Sequence, residues 1–260
     1  LWFKASEFGN DKDIVLVRAN GVPTYIVPDI AYHYNKLVTR GYDLAIDVLG
    51  ADHHGYVPRM RAALTALGLD ADRLHAVIMQ MVRLVRGGET IKLSKRSGKP
   101  ITLNTLLEEV PIDAARFFFN LREPNAHFDF DLDLAAEKTN ENPVYYVQYA
   151  HARICSILKK AQENGVSLRA ATAEERMRLT SAEERELIHH LARLPGEYIA
   201  AADAYDPARI TRYVVEVATL FHKFYNAQRV LADDPALTAA RLDLCRAVNR
   251  VIENVLAALK

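Results

Sequence analysis

Ala45-Ile46-Asp47-Val48-Leu49-Gly50 is a short apolar run that stops at a glycine and passes directly into Ala51-Asp52-His53-His54. A run of this length, bounded by a turn residue, reads as a buried strand. Upstream, Ile30, Tyr34, Leu37 and Val38 recur at helical spacing, which predicts a helix from Asp29 to Arg40 with Asp29 as its cap. Before it, Ile14 to Val17 and Thr24 to Val27 read as strands separated by the turn signal Asn20-Gly21, the second strand ending at Pro28. Downstream, a helix is predicted from about Val57 to Ala66 and a further strand from His75 to Leu84. Strands alternating with helices are the rhythm of a parallel, doubly wound α/β sheet. Ligands of such sheets bind beyond the carboxyl ends of the strands, which directs attention to Asp29 and to the residues after Leu49.

The rest of the chain has a different pattern. Residues 91–135 are a turn-rich, charged connector. From about Ala136 the apolar residues fall into helical stripes: Val144, Val147, Ala150, Ile154, Ile157 and Leu158; then Ile210, Tyr213, Val214, Val217, Leu220, Phe221 and Phe224; then Leu242, Cys245, Val248, Val251, Ile252, Val255 and Leu256. A polar stretch from Glu163 to Glu186 is expected to link helices across the surface. The absence of a fixed-period repeat favours a helical bundle over a solenoid.

The 260 residues are half apolar and one quarter charged, with no net charge. That excludes a simple polycation that coats nucleic acid, and no window approaches the length of a membrane span. No basic-then-apolar export signal opens the chain, so a cytoplasmic setting is expected. The two cysteines, Cys155 and Cys245, are too few and too far apart for a disulfide framework or a zinc site, and both are expected to be buried apolar fillers. The charge is nevertheless concentrated in one place. Between Arg83 and Lys99 stand six basic residues and a single acid, Glu89. The core of that stretch is Lys92-Leu93-Ser94-Lys95-Arg96-Ser97-Gly98-Lys99, preceded by Gly87-Gly88. Like charges crowded on a short glycine-bracketed loop repel one another unless an anion enters between them. A triphosphate fits, and cations that engage its migrating charge stabilise a transition state more than the bound ground state.

Lys92 to Arg96 resembles the lysine-methionine-serine-lysine-arginine loop of class I aminoacyl-tRNA synthetases, with Leu93 in the methionine position. Gly50-Ala51-Asp52-His53 is similar to the Gly-x-Asp-Gln/His segment of that class. Within the class the chain resembles arginyl-tRNA synthetases along nearly its whole length. Thr24 to Ala31 is similar to the Tyr-x-x-x-Asp substrate segment, Ile112 to Phe117 to the Asp-Ala-Leu-Arg segment with Ala115 in place of leucine, and Pro143 to Arg153 to the helix that meets the anticodon loop.

The resemblance implies an α/β plus all-α architecture. Residues 1–90 would be the second half of a Rossmann-like nucleotide-binding domain, 91–135 the signature loop and connector, and 136–260 a helical-bundle anticodon-binding domain. It implies Lys92, Ser94, Lys95 and Arg96 as catalytic residues. Tyr25 and Asp29 would hold the substrate arginine, Gly50, Asp52, His53, Met81 and Val82 would bind ATP, and Tyr146, Tyr149 and Arg153 would bind tRNA. The physical case for two of these stands on the residues themselves. A planar five-donor guanidinium is matched by a fixed carboxylate such as Asp29. Tyr146, Tyr149 and Arg153 fall at i, i+3 and i+7, one helix face, where tyrosines beside an arginine suit unpaired RNA bases. Asp113 and Arg116 are expected to be structural.

The implied substrates and partners are ATP with Mg2+, L-arginine and tRNA(Arg), with no protein-bound metal, no membrane and a monomeric intact enzyme. The His-x-Gly-His segment of the class is not found in this sequence, where the adjacent histidine pairs are His53-His54 and His189-His190. A carboxyl-terminal portion, inactive alone, is the expectation. Three alternatives remain at this level: a relative charging another amino acid such as cysteine, which should carry zinc-ligand cysteines in its catalytic half; a non-catalytic RNA-binding module on a relic nucleotide fold; and an Asp-His-His metal phosphoesterase built on Asp52-His53-His54.

Overall fold

The computed structural model describes residues 1–91 and 102–259. Two compact units emerge, one formed by Leu1–Met81 with Pro124–Phe128, the other by Val82–Glu123 with Asp129–Lys260.

The first unit is α/β. Strands β1 (Trp2–Phe3) and β2 (Ile14–Val15) pair antiparallel, and Val17 bridges Pro23 across the turn in which Gly21 adopts a φ of 79°. Helix α1 (Ile26–Tyr34) continues through a wider turn at Asn35–Thr39. Strand β3 (Ala45–Gly50), helix α2 (Tyr56–Ala66) and strand β4 (Leu74–Met79) follow. β3 and β4 are parallel, in register from Ala45 opposite Leu74 to Gly50 opposite Met79, so their carboxyl ends lie side by side. Ile26, Leu37, Ala45, Met60, Leu64 and Leu74 form the buried core, with Ile14, Leu16, Val27 and Ile30 packed against it.

Four expectations from the sequence are corrected here. Thr24 to Val27 is not a strand: the helix starts at Ile26, and Pro28 sits in its first turn, where a missing N–H costs nothing. Asp29 is therefore a first-turn acid, favourably placed against the helix dipole, and not the cap. The strand expected over His75–Leu84 is two strands, β4 and β5 (Val82–Arg86), separated at Gln80 and Met81. The strand at Ile14 joins the antiparallel pair, so the parallel sheet among the described residues has the two strands β3 and β4.

The second unit is mainly helical. β5, β6 (Glu89–Thr90) and β7 (Phe128–Asp131) form a small sheet in the order β6-β5-β7, with Arg83 donating from Nε to Asp129 at 2.6 Å. Helices α3 (Leu103–Glu109), α4 (Ile112–Phe119) and α5 (Leu132–Ala136) accompany it, with α5 packed against β5, so the connector holds more regular structure than its charge suggested. Then come α6 (Pro143–Glu163), α7 (Ala173–Arg176), α8 (Ala182–Ala192), α9 (Leu194–Ala204), α10 (Ala208–Ala227) and α11 (Pro235–Ala258).

The starts of these helices follow from local chemistry. Buried Asn142 accepts from the N–H groups of Val144 and Tyr145 at 3.1 and 3.3 Å, and Pro143 takes the first helical position. Thr172/Glu175 and Ser181/Glu184 are reciprocal capping boxes, so the polar stretch expected to be a linker initiates α7 and α8. The stripes read in the sequence face inward: Val147, Ala150 and Ile154 of α6, Val214, Val217, Phe221 and Phe224 of α10, and Cys245, Val248, Ile252 and Val255 of α11 are fully buried. Glu184, 1 % exposed, accepts from Arg241 Nε at 2.7 Å, while the same guanidinium donates to the Arg229 carbonyl at 2.7 Å and to Gln228 Oε1 at 2.8 Å. One buried arginine thus joins the start of α8, the middle of α11 and the chain leaving α10. Burial pushes the Cys245 thiol up to about 12. Cys155, expected inside, is exposed on α6, one turn from His151. Among the described residues no helix is long and apolar enough to cross a membrane.

Candidate functional site

In the first unit, β3 is held against α1 by a buried ionic group. Asp47 accepts from His33 Nε2 at 2.7 Å and from Lys36 Nζ at 2.9 Å. Burial works against the carboxylate, but these two hydrogen bonds outweigh it and hold Asp47 below the usual carboxylate range. The other ring nitrogen of His33 faces the Asp29 carbonyl at 2.8 Å, so the imidazole bridges the first turn of α1 and β3. Asp29 is consequently anchored through its backbone, while its carboxylate lies within electrostatic reach of the Tyr56 hydroxyl. Burial, and then the negative charge of Asp29, drive the Tyr56 phenol far above its ordinary value. Tyr56 stays a neutral donor at any physiological pH.

Tyr56 opens α2 directly after the Ala51–Gly55 turn, so it brings that turn to Asp29. A Cβ at position 50 would lie 2.7 Å from Asp52 Oδ1, so glycine there leaves the Asp52 carboxylate room to lie close to the end of β3. Asp52 and His53 are exposed, with Nε2 of His53 3.6 Å from Asp52 Oδ2. An exposed carboxylate beyond a parallel strand is suited to accept from vicinal hydroxyls. Met81, 73 % exposed, lies two residues beyond Met79, the register partner of Gly50, and Val82 is the first residue of β5. Tyr25 is 88 % exposed at the start of α1. The structure thus groups Asp29 with the 50–56 turn through Tyr56, which sequence reading missed. Lys92, Ser94, Lys95 and Arg96 lie outside the described residues.

The second unit carries an aromatic and cationic cluster. Tyr146, Tyr149 and Arg153 share a face of α6, as their spacing predicts, and α10 adds His222 and Tyr225. The Arg153 guanidinium lies 4.5 Å from the Tyr149 ring and 4.6 Å from the Tyr225 ring. It donates to the Tyr149 hydroxyl at 2.7 Å and to His222 Nδ1 at 3.0 Å. His222 is buried against Tyr146, with ring centroids 4.6 Å apart. Burial first, and the Arg153 charge in addition, hold its pKa below the usual histidine range. Tyr149 and Tyr225 remain exposed. Tyr145 is half-buried and stacks on Tyr149 at 6.2 Å. Sequence reading named Phe221 and Phe224 in the apolar stripe of α10 and passed over His222 and Tyr225 beside them. Nearby, Gln148 of α6 donates to Asp113 of α4, giving Asp113 the structural role expected of it.

Comparison with known proteins identifies first a class and then a closer relation. Residues 147–260 match the family model of the DALR anticodon binding domain. The match begins beyond Asp113 and Arg116 and takes in Tyr149, Arg153, His222 and Tyr225. The whole chain is homologous to arginyl-tRNA synthetases. It is 55% identical over 260 residues to the arginine–tRNA ligase of Caldanaerobacter subterraneus subsp. tengcongensis, covering 100% of this chain and 46% of that protein. To the arginine–tRNA ligase of Desulfitobacterium hafniense it is 52% identical over 259 residues, covering 99% of this chain and again 46% of the relative. The chain therefore spans about half the length of the curated relatives it matches. Among solved structures, one described as an arginyl-tRNA synthetase of Campylobacter jejuni superposes with a TM-score of 0.85 at 33% identity, over 99% of this chain and 55% of that one. The Thermus thermophilus arginyl-tRNA synthetase shares the fold, with a TM-score of 0.82 at 23% identity, over 100% of this chain and 52% of that one.

Proposed function

We propose that this chain is the carboxyl-terminal portion of an arginine–tRNA ligase, which activates L-arginine with ATP and transfers it to tRNA(Arg) in protein synthesis. The observation that carries this reading is similarity to arginine–tRNA ligases through the entire chain, embracing both the Asp29–Tyr56 group and the Arg153 cluster. Residues 1–90 act as the second half of a Rossmann-like catalytic domain, 91–135 as signature loop and connector, and 136–260 as the anticodon-binding bundle. The intact enzyme works as a cytoplasmic monomer, and this portion alone does not activate arginine.

In this reading the Asp29 carboxylate receives the guanidinium of the substrate, its direction set by the Tyr56 hydroxyl and by His33 beneath the helix, with the exposed Tyr25 ring alongside. A carboxylate that already has one donor fixed keeps acceptor sites for a fork of two more. Asp52 accepts from the ribose hydroxyls of ATP, beside His53, and the backbone at Met81 and Val82 pairs with adenine. The arginine carboxylate attacks the α-phosphorus and pyrophosphate departs; Lys92, Ser94, Lys95 and Arg96 meet the charge on the leaving group. A terminal tRNA hydroxyl then attacks the activated carbonyl, releasing AMP and leaving the aminoacyl ester. The described residues offer single carboxylates here, with no group of three or more metal-ligating side chains. Mg2+ in this scheme travels with the nucleotide phosphates.

The test is Asp29→Ala in the full-length enzyme. Removing a charged hydrogen-bonding partner costs about 1.5–3 kcal/mol. The KM for arginine should rise accordingly, by about one to two orders of magnitude, with the KM for ATP unchanged. An unaltered KM for arginine would take Asp29 out of substrate binding.

A further inference from the structure

Arg153 is held unusually firmly for a side chain on an exposed helix face. Its guanidinium carbon lies 4.5 Å from the centre of the Tyr149 ring and 4.6 Å from that of the Tyr225 ring. Of its five N–H groups, one is used by the Tyr149 hydroxyl and one by His222 Nδ1. The orientation of the other three depends on where those two are pinned.

The His222 contact fixes a tautomer. Nδ1 accepts from Arg153, so Nε2 carries the ring proton. That nitrogen is buried and has no well-formed hydrogen bond among the described residues, and the acceptor it faces is the Tyr146 backbone. A buried donor without a good acceptor lowers the stability of the fold, and a phenyl or leucyl side chain among Tyr146, Phe221 and Tyr149 would not incur that loss. Packing alone thus favours an apolar residue at position 222. What the imidazole adds over such a residue is the acceptor at Nδ1, and that acceptor serves Arg153.

We propose that His222 is a positioning residue for RNA recognition: it locks Arg153 between Tyr149 and Tyr225 so that the remaining guanidinium N–H groups form a preset fork for the acceptor edge of an unpaired base. The inference rests on the RNA-binding reading of this face and adds its mechanism. A preorganised fork loses less side-chain freedom on binding than a free arginine does. Direct edge readout also differs from phosphate neutralisation in its salt dependence, since each lost phosphate contact lowers the salt slope by about one.

The experiment compares the wild-type full-length enzyme with its His222→Phe, His222→Asn and Arg153→Ala variants. tRNA(Arg) affinity is measured at two salt concentrations, and the Arg153 side-chain N–H resonances are followed without RNA. Asn places Oδ1 near the position of Nδ1 and should restore the contact. The expected result is affinity about tenfold weaker for His222→Phe and for Arg153→Ala, and within about twofold of wild type for His222→Asn, as for gain or loss of one hydrogen bond. The salt slope should stay unchanged, and His222→Phe should melt at or above the wild-type temperature. The Arg153 signals should broaden or collapse in His222→Phe and persist in His222→Asn. Unaltered Arg153 signals in His222→Phe, or full tRNA affinity in that variant while Arg153→Ala is impaired, would overturn the positioning role. A salt slope reduced by about one in Arg153→Ala would replace the base edge with a phosphate and overturn that part of the proposal. Full affinity in Arg153→Ala would instead remove the RNA reading of the face itself, and the proposal with it.

Discussion

The two units treat their apolar residues in opposite ways. In the helical unit, the inward faces of α6, α10 and α11 are closed off, and the largest side chains, Phe117, Phe130, Phe221 and Phe224, are essentially inaccessible. In the α/β unit, Ile46 and Val48 on β3 are 49 % and 62 % exposed, and Leu1, Trp2 and Tyr25 are also open. Parallel strands are ordinarily covered on both faces. A bundle of long amphipathic helices can complete its own core from a local stretch of chain, whereas a parallel sheet gathers its cover from distant segments. The first unit adds polar fixtures, the His33–Asp47–Lys36 group and the Tyr56–Asp29 contact, at α1 and the 50–56 turn.

The contrast can be broken most sharply inside the bundle. Arg241→Met leaves Glu184 buried without its partner, and loss of one member of a buried pair costs about 3–5 kcal/mol. Urea unfolding followed by helical circular dichroism should show a loss of that size; one below about 1 kcal/mol would mean that Glu184 reaches water. In the first unit, Asp47→Asn should cost about 1.5–3 kcal/mol, because the negative charge facing Lys36 is lost and one of the two acceptor oxygens is replaced by a donor. The sign of its pH dependence follows from the depressed pKa. Folding favours the ionised form, so the contribution is complete above pH ~5, falls as the pH drops through the unfolded value of 3.8, and vanishes below the folded one. Stability curves of wild type and Asp47→Asn that stay parallel down to pH ~2 would contradict the ionic fixture. The smallest effect is expected on the open face of β3. Val48→Thr should change stability by no more than about 0.5 kcal/mol, as for other exposed positions. A cost above about 2 kcal/mol would show that the face is covered in solution.

What could be read from the sequence follows the same division. The inward stripes of α6, α10 and α11 were legible because helix burial repeats along contiguous chain, and Ala45–Gly50 was legible because a glycine closes it. Thr24 to Val27 misled because β-branched and aromatic composition outweighed a proline that is welcome in a first helical turn. Cys155 misled because cysteine is commonly buried, while its position on α6 faces outward. The residues that escaped notice, His33, Asp47, Tyr56, His222 and Tyr225, take their meaning from partners 11 to 72 residues away. Periodicity carries no trace of such pairings. His33 alone left a hint, standing one helical turn after Asp29.

Arg241 carries a consequence beyond holding helices together. Its hydrogen bonds end on Gln228 and on the Arg229 carbonyl, three and four residues past Tyr225, the ring that covers one side of Arg153. The interior of the bundle and the Arg153 face therefore share one tether. On the proposed RNA-binding reading of that face, a substitution that loosens the tether should weaken discrimination among RNA ligands well before the bundle melts.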